Sequence, residues 1–230
     1  MKQILNSTLT LPKYILVIGL IFLALGCEKE KPCSDFETSV MVDERDGQRY
    51  KIVKIGEQCW MAENLNYYTP TGSWYYDNDS INYSKPYGRL YLWETVMKGS
   101  SSSNENPSGV RGISPKGWHI PSVSEWEQLY DYLISQGLNA DDLKEAGTEH
   151  WSYPNSGTNK TFFSAIPTGT VYNNGNSFAN IDYQTTFLSS TIDNNTGGVW
   201  GYGIDCDKSD IRKAPLGLQN GWSIRCGKDK

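Results

Sequence analysis

His119 and His150 are the only imidazoles in the chain, and either one acts as a catalytic base only beside a serine or cysteine nucleophile. Neither stands in such a pattern. His119 lies in Gly117-Trp-His-Ile-Pro121, which reads as packing ahead of a helix, and His150 lies in Glu149-His-Trp151, which reads as a surface loop. There is no Gly-x-Ser-x-Gly elbow. Glycoside hydrolysis needs two carboxylates flanking one bond; Glu125 and Glu127 are accounted for by a helix cap and a solvated helix face. Asp77, Asp79, Asp205, Asp207 and Asp210 offer oxygen ligands of the kind Ca²⁺ takes, without the twelve-residue loop of an EF-hand. No catalytic residue and no metal-ligand set is therefore assigned, and Ca²⁺ on those loop acids is the one cofactor left open. The aromatic loops carry more. Tyr67-Tyr68 and Trp74-Tyr75-Tyr76-Asp77-Asn78 set flat rings beside amide and carboxylate groups. A ring packs on the C–H face of a sugar while polar groups take its hydroxyls, and Tyr- and Asn-rich loops also make adaptable contact surface for proteins. Tyr67, Trp74, Tyr75, Tyr76, Asp77 and Asn78 are thus the expected ligand contacts. The competing reading is that these rings cover a core poor in aliphatic residues.

Apart from Cys27 the chain has four cysteines, Cys33, Cys59, Cys206 and Cys226. No CxxC spacing exists, so a zinc site is disfavoured. In an exported chain an even set of thiols forms disulfides, and four cysteines allow three connectivities. Cys59 with Cys226 is preferred, because it joins the first strands to the last, leaving Cys33 with Cys206.

These residues need a scaffold, and the pattern supplies one. Tyr50–Ile55 and Gln58–Ala62 read as a hairpin about Gly56-Glu57. Residues 66–89 form a loop, Leu90–Met97 a short helix and residues 98–116 another loop. Ser122 stands three residues ahead of Glu125, a capping box. Trp126, Leu129, Tyr130, Leu133 and Ile134 then make one apolar stripe, and Gly137 ends the helix. A shorter helical stretch is expected over 141–146. Short strands are expected at 162–166, 170–172, 185–190, 199–204 and 222–225. Helices early and strands late predict an α+β domain, loop-rich, with short antiparallel strands and one well-capped helix near 122–136.

The beginning of the chain is of another kind. Lys2 and Lys13 precede the apolar run Ile15–Leu25, too short for a span, which ends in Leu25-Gly26-Cys27. This resembles the lipobox of bacterial lipoproteins, and implies a signal peptide over 1–26, an acylated Cys27, a charged tether over 27–40 and a domain over 41–230. Removing Lys2 and Lys13 leaves 19 basic against 26 acidic side chains, a balance of −7. An acidic chain without a basic tract excludes nucleic acid as a partner.

Four stretches together resemble the Fibrobacter succinogenes major paralogous domain family. They are Asp46–Leu65, Tyr87-Gly-Arg-Leu-Tyr-Leu-Trp93, Val110–Ser122 with Glu125-Trp126, and Gly221-Trp-Ser-Ile-Arg-Cys226. The chain departs from that pattern at Ser114 and near Ser73, where members often carry cysteine, which reads as the joint loss of one disulfide. More distantly, the Gly-Trp-His-Ile…Pro-Ser-x-x-Glu-Trp-Glu helix start and the terminal strand are similar to the formylglycine-generating enzyme and C-type-lectin-like folds. The surroundings of Cys206 do not look like the copper-binding cysteines of the former, and fold likeness carries no chemistry. The expectation is a lipid-anchored protein of the cell envelope, at the outer membrane or cell surface. Its single C-type-lectin-like domain would bind a glycan or an envelope protein without catalysis. The alternatives are an enzyme acting on an extracytoplasmic polymer, and a structural envelope component.

Overall fold

The computed structural model describes Cys33 and residues 38–230. Cys27 and the expected signal peptide lie outside the described residues. Among the described residues no helix is long and apolar enough to cross a membrane. In chain order the strands are β1 (Ser39–Val42), β2 (Arg49–Ile55), β3 (Gln58–Met61), β4 (Ser73–Trp74), β5 (Leu90–Leu92), β6 (Trp118–His119), β7 (Thr168–Tyr172), β8 (Ser177–Ile181), β9 (Gln184–Ile192), β10 (Val199–Asp205), β11 (Arg212–Leu216), β12 (Gly221–Trp222) and β13 (Gly227–Lys228). The helices are α1 (Ser80–Tyr83), α2 (Trp93–Met97) and α3 (Val123–Ser135). The strands form three antiparallel sheets, in the orders β1-β2-β3-β13-β6, β11-β10-β9 and β4-β5-β12-β7-β8. The domain is mixed α+β and dominated by strands.

Local sequence explains the best-formed elements. In the β2–β3 hairpin Val53 faces Trp60 and Ile52 faces Met61, and Gly56 takes the positive φ that its tight turn demands. The ring of Tyr132 on α3 rests so close to Gly56 that a Cβ there would meet it at 2.9 Å. At the start of α3 the Ser122 hydroxyl accepts from the Glu125 N–H, and the Glu125 carboxylate accepts from the Ser122 N–H. At its end the Leu138 N–H reaches the Leu133 carbonyl and the Gly137 N–H reaches that of Ile134, a Schellman closure with Gly137 at φ +68°. The apolar stripe of α3 then seals β9 and β10. Trp126 stacks on Tyr202 and on Phe187 at 5.2 and 5.4 Å, and packs against Trp60 and Phe163.

Residues 221–228 stitch the three sheets together. Gly221 and Trp222 pair with β5 and β7, and Ser223 bonds both ways with β9. The carbonyls of Ile224 and Cys226 receive the N–H groups of Leu65 and Met61, and Gly227 lies between β3 and β6. A Cβ at Gly221 would strike Val171, and one at Gly227 would strike the His119 ring. Between them the buried Arg225 guanidinium donates to Asn64 Oδ1 (2.6 Å) and to the carbonyls of Met61, Phe163 and Ser164. Its plane lies over the rings of Phe163 and Phe187. Burial, opposed only by distant Glu63, pulls its pKa down to about 9.

Four expectations are corrected. The disulfide joins Cys33 to Cys59, whereas Cys206 and Cys226 are free and buried; neither the Cys59–Cys226 nor the Cys33–Cys206 bond exists. The last strand does lie beside the first hairpin, but the union is made by backbone, and the Cys226 sulfur points instead at the Ser114 hydroxyl, 3.1 Å away. Ser114 therefore has Cys226 as its neighbour, while the Ser73 hydroxyl bonds Thr69 and Arg89. Residues 90–97 divide into β5 and α2. Residues 162–166 are a loop, because Phe162 and Ser164 take left-handed backbone conformations, and the stretch 141–146 contributes only the end of a 3₁₀ turn, Ala140–Asp142.

Candidate functional site

The segment 64–78 leaves the first sheet and is fastened at its root. The Asn64 amide donates to the Tyr87 carbonyl at 2.8 Å, and the Tyr50 hydroxyl accepts from the Asn66 N–H. The buried Tyr91 hydroxyl donates to the carbonyl of Tyr67 at 2.8 Å. Beyond that root the chain makes a small turn, with the Thr69 hydroxyl on the carbonyl of Thr71 and on the Ser73 hydroxyl. Gly72 closes the turn at φ +70°, pressed against the Thr95 hydroxyl with no room for a Cβ, and its carbonyl accepts from Leu92.

This turn is one wall of a cleft of about 540 Å³; the N-terminal half of α2 and its flanks form the other. Tyr67, Tyr68, Thr69, Thr71, Thr95, Glu94, Lys98 and Arg45 supply its chemistry. Arg45 is the rigid part. Its guanidinium forks onto Asp43 (2.8 and 2.6 Å), donates to the Ile113 carbonyl at 2.7 Å, and lies 3.8 Å from the centre of the Tyr67 ring. Asp43 cancels most of that charge, so Arg45 acts chiefly as a fixed plate behind Tyr67. Tyr68 is 63% exposed, with Arg89 5.1 Å from its centre on the protein side. Arg89 is itself held between Tyr68 and Tyr75, 4.0 Å from the latter, and has no acidic partner among the described residues. Guanidinium planes thus back the rings while hydroxyls line the turn. Such a surface can stack on an apolar ring face and hydrogen-bond its polar edge.

The expected contacts do not converge on one place. Tyr67 lines the cleft. Tyr75 is half-buried against Arg89 and reaches the site only through it. Trp74 and Tyr76 belong to a small core with Leu90 and Val171. Tyr76 is 8% exposed and packs edge-on against Tyr83 and Phe178, and the Trp74 indole lies over Gly175, leaving no room for a Cβ there. Asp77 and Asn78 are exposed in a left-handed turn. Sequence reasoning missed Arg45, Lys98 and Thr95. The adjacent threonines and tyrosines of Tyr67–Thr71 were the available signal.

Three of the five loop acids are employed elsewhere. Asp79 caps α1 through the N–H groups of Ile81 and Asn82, Asp205 pairs with Arg212, and Asp207 accepts from Tyr183. Among the described residues the one group of three metal-capable side chains is Glu145, Glu149 and His150. His119 is buried, bonded through Nε2 to Glu125 (2.6 Å) and through Nδ1 to Asp229 (2.8 Å). Burial alone would lower its pKa, but the two carboxylates outweigh this and raise it. It therefore clamps the helix cap to the end of the chain and does not face the cleft. Burial pushes the Cys226 thiol up to about 12, against the pull of Ser114 and Arg45, so it is unreactive at neutral pH.

The model of the Fibrobacter succinogenes major domain family (Fib_succ_major) matches residues 53–228. The chain belongs to that family. No curated protein and no solved structure matches the chain. The structure gives the family-like stretches a physical meaning: Asn64, Tyr87, Trp126, Ser223 and Arg225 are joints between sheets.

Proposed function

We propose that the protein is a lipid-anchored component of the cell envelope whose domain binds a glycan non-covalently in the cleft between Tyr67–Gly72 and α2. The observation that carries this reading is the cleft's lining. Two tyrosine rings, backed by Arg45 and Arg89, stand beside three threonine hydroxyls. Glu94 is the single carboxylate in the lining, and hydrolysis of a glycosidic bond uses a pair. That composition favours holding a ligand over turning it over. A C-type-lectin-like relationship is in keeping with short antiparallel strands around one well-capped helix and much loop.

The envelope address rests on the lipobox-like Leu25-Gly26-Cys27. Replacing Cys27 by Ala is expected to move the processed protein from the membrane to the soluble fraction; a variant that stays membrane-bound to the same extent removes the anchor. The binding claim is tested on a broad glycan array with the protein and its Tyr68→Ala variant. A reproducible hit on the parent that disappears in the variant supports the cleft. A parent with no hit sinks the glycan reading and turns attention to envelope proteins as partners.

A further inference from the structure

Away from the cleft, the geometry points to a divalent transition-metal site of the zinc type, built by Glu145, Glu149 and His150. One ligand atom from each residue lies within 4.8 Å of the other two, and His150 Nδ1 is already 2.7 Å from Glu145 Oε2. One imidazole nitrogen with two carboxylates is a donor set that zinc accepts, with the fourth tetrahedral position left to water. Bonds of ~2.0 Å place tetrahedral ligand atoms ~3.3 Å apart, so the 2.7 Å His150–Glu145 pair must open by ~0.6 Å and the widest gap, at most 4.8 Å, must close by up to ~1.5 Å. Glu149 is exposed and can supply that movement by a change of rotamer.

What separates this trio from a chance group of surface acids is how its loop is held. The Glu145 N–H donates to the Ala165 carbonyl at 2.9 Å, and the indole N–H of buried Trp151 donates to the same carbonyl at 3.0 Å. The two ends of the loop are thereby tied to one atom. The Asn155 amide bridges the carbonyls of Glu145 and Gly147 from below, at 3.0 and 2.6 Å. Just before the loop, the Lys144 ammonium is buried among the carbonyls of Asp205, Cys206 and Lys208 and the carboxylate of Asp141. Lys144 is therefore spent on structure and turned away from the trio.

The surroundings agree. The ring of Tyr87 meets His150 edge-on at 5.3 Å and fixes the imidazole plane. Among the described residues the sole ion-pair partner of either glutamate is His150 itself. A divalent cation would supply the missing positive charge. Competition within the domain is weak, since His119 is enclosed by Glu125 and Asp229 and both free thiols are buried.

The test is equilibrium dialysis of the purified full chain against Zn²⁺, with zinc per chain counted by mass spectrometry, and the same for Glu149→Gln and His150→Ala. Glu149 is exposed, so its variant keeps the fold even if loss of the His150–Tyr87 contact loosens the other. The expected result is that each variant loses one zinc equivalent, or binds it at least tenfold more weakly, and that 1 mM Ca²⁺ does not displace the metal. A parent that binds no zinc overturns the proposal, and so does a stoichiometry that neither variant changes.

Discussion

Tyr67 and Tyr68 precede Trp74 and Tyr76 by a single turn, in a stretch of uniform composition, yet the two pairs meet different surroundings. The first pair stands on a loop fastened at its root and again at Gly72, with arginines behind the rings and a cleft in front. The second pair is folded back by the left-handed residues Asp77 and Asn78 onto β7 and β8, where Val171 and Phe178 cover it. Ring chemistry is the same in both; what differs is whether another element arrives to bury the face. The lesson is that an aromatic loop keeps a ring face open where its partner is a guanidinium plate and becomes a packing unit where its partner is a strand.

Substitutions can break this contrast, and the largest effect belongs to the frame that both pairs share. Arg225→Met takes the donor from three buried acceptors and one half-buried one, and is expected to cost roughly 4 kcal/mol, read as an early denaturant midpoint. Tyr76→Ala opens a cavity in the small core and is expected to cost roughly 3 kcal/mol. Tyr68→Ala should stay within about 0.5 kcal/mol of the parent, because its ring is exposed; equal destabilisation by the two would erase the distinction. Ser114→Cys sharpens the picture of the frame: in protein refolded under a thiol–disulfide couple, where the bond forms before Cys226 is buried, the new thiol should join Cys226, show as a 114–226 linked peptide in mass mapping, and add about 2 kcal/mol. Recovery of a 114–59 peptide instead would contradict the geometry. The smallest effect is a pH dependence. His119 has a raised folded pKa, so its stabilisation is complete below the ordinary histidine value of ~6.5 and is lost as pH climbs through the folded value. Melting temperature should fall across that window in the parent and be flatter in His119→Gln.

Much of the scaffold was legible, for reasons that can be named. The capping box at Ser122 and Glu125, the stripe from Trp126 to Leu133 and the stop at Gly137 are local rules, and α3 obeys each of them. The β2–β3 hairpin was legible by alternation and Gly56. Strands β4, β6 and β13 are only two residues long, and their existence depends on neighbours distant in the chain, so no local pattern announces them; β12 falls at the start of the strand expected over 222–225. The disulfide misled because backbone adjacency of β13 and β3 was read as side-chain adjacency, whereas Cys226 turns inward to Ser114. In the aromatic segment 67–78, composition does not say which ring is covered, since that is decided by Val171 and Phe178, about a hundred residues later. Arg45 and Lys98 carry no local signal at all; the tertiary fold alone brings them to Tyr67.

The measurement that bears most directly on the cleft is a paired one: thermal melting and glycan binding of Tyr68→Ala and Tyr76→Ala beside the parent. The account predicts that Tyr68→Ala melts with the parent and loses the ligand, while Tyr76→Ala melts early and, where still folded, keeps it. A Tyr68→Ala protein that binds as the parent does would contradict the account.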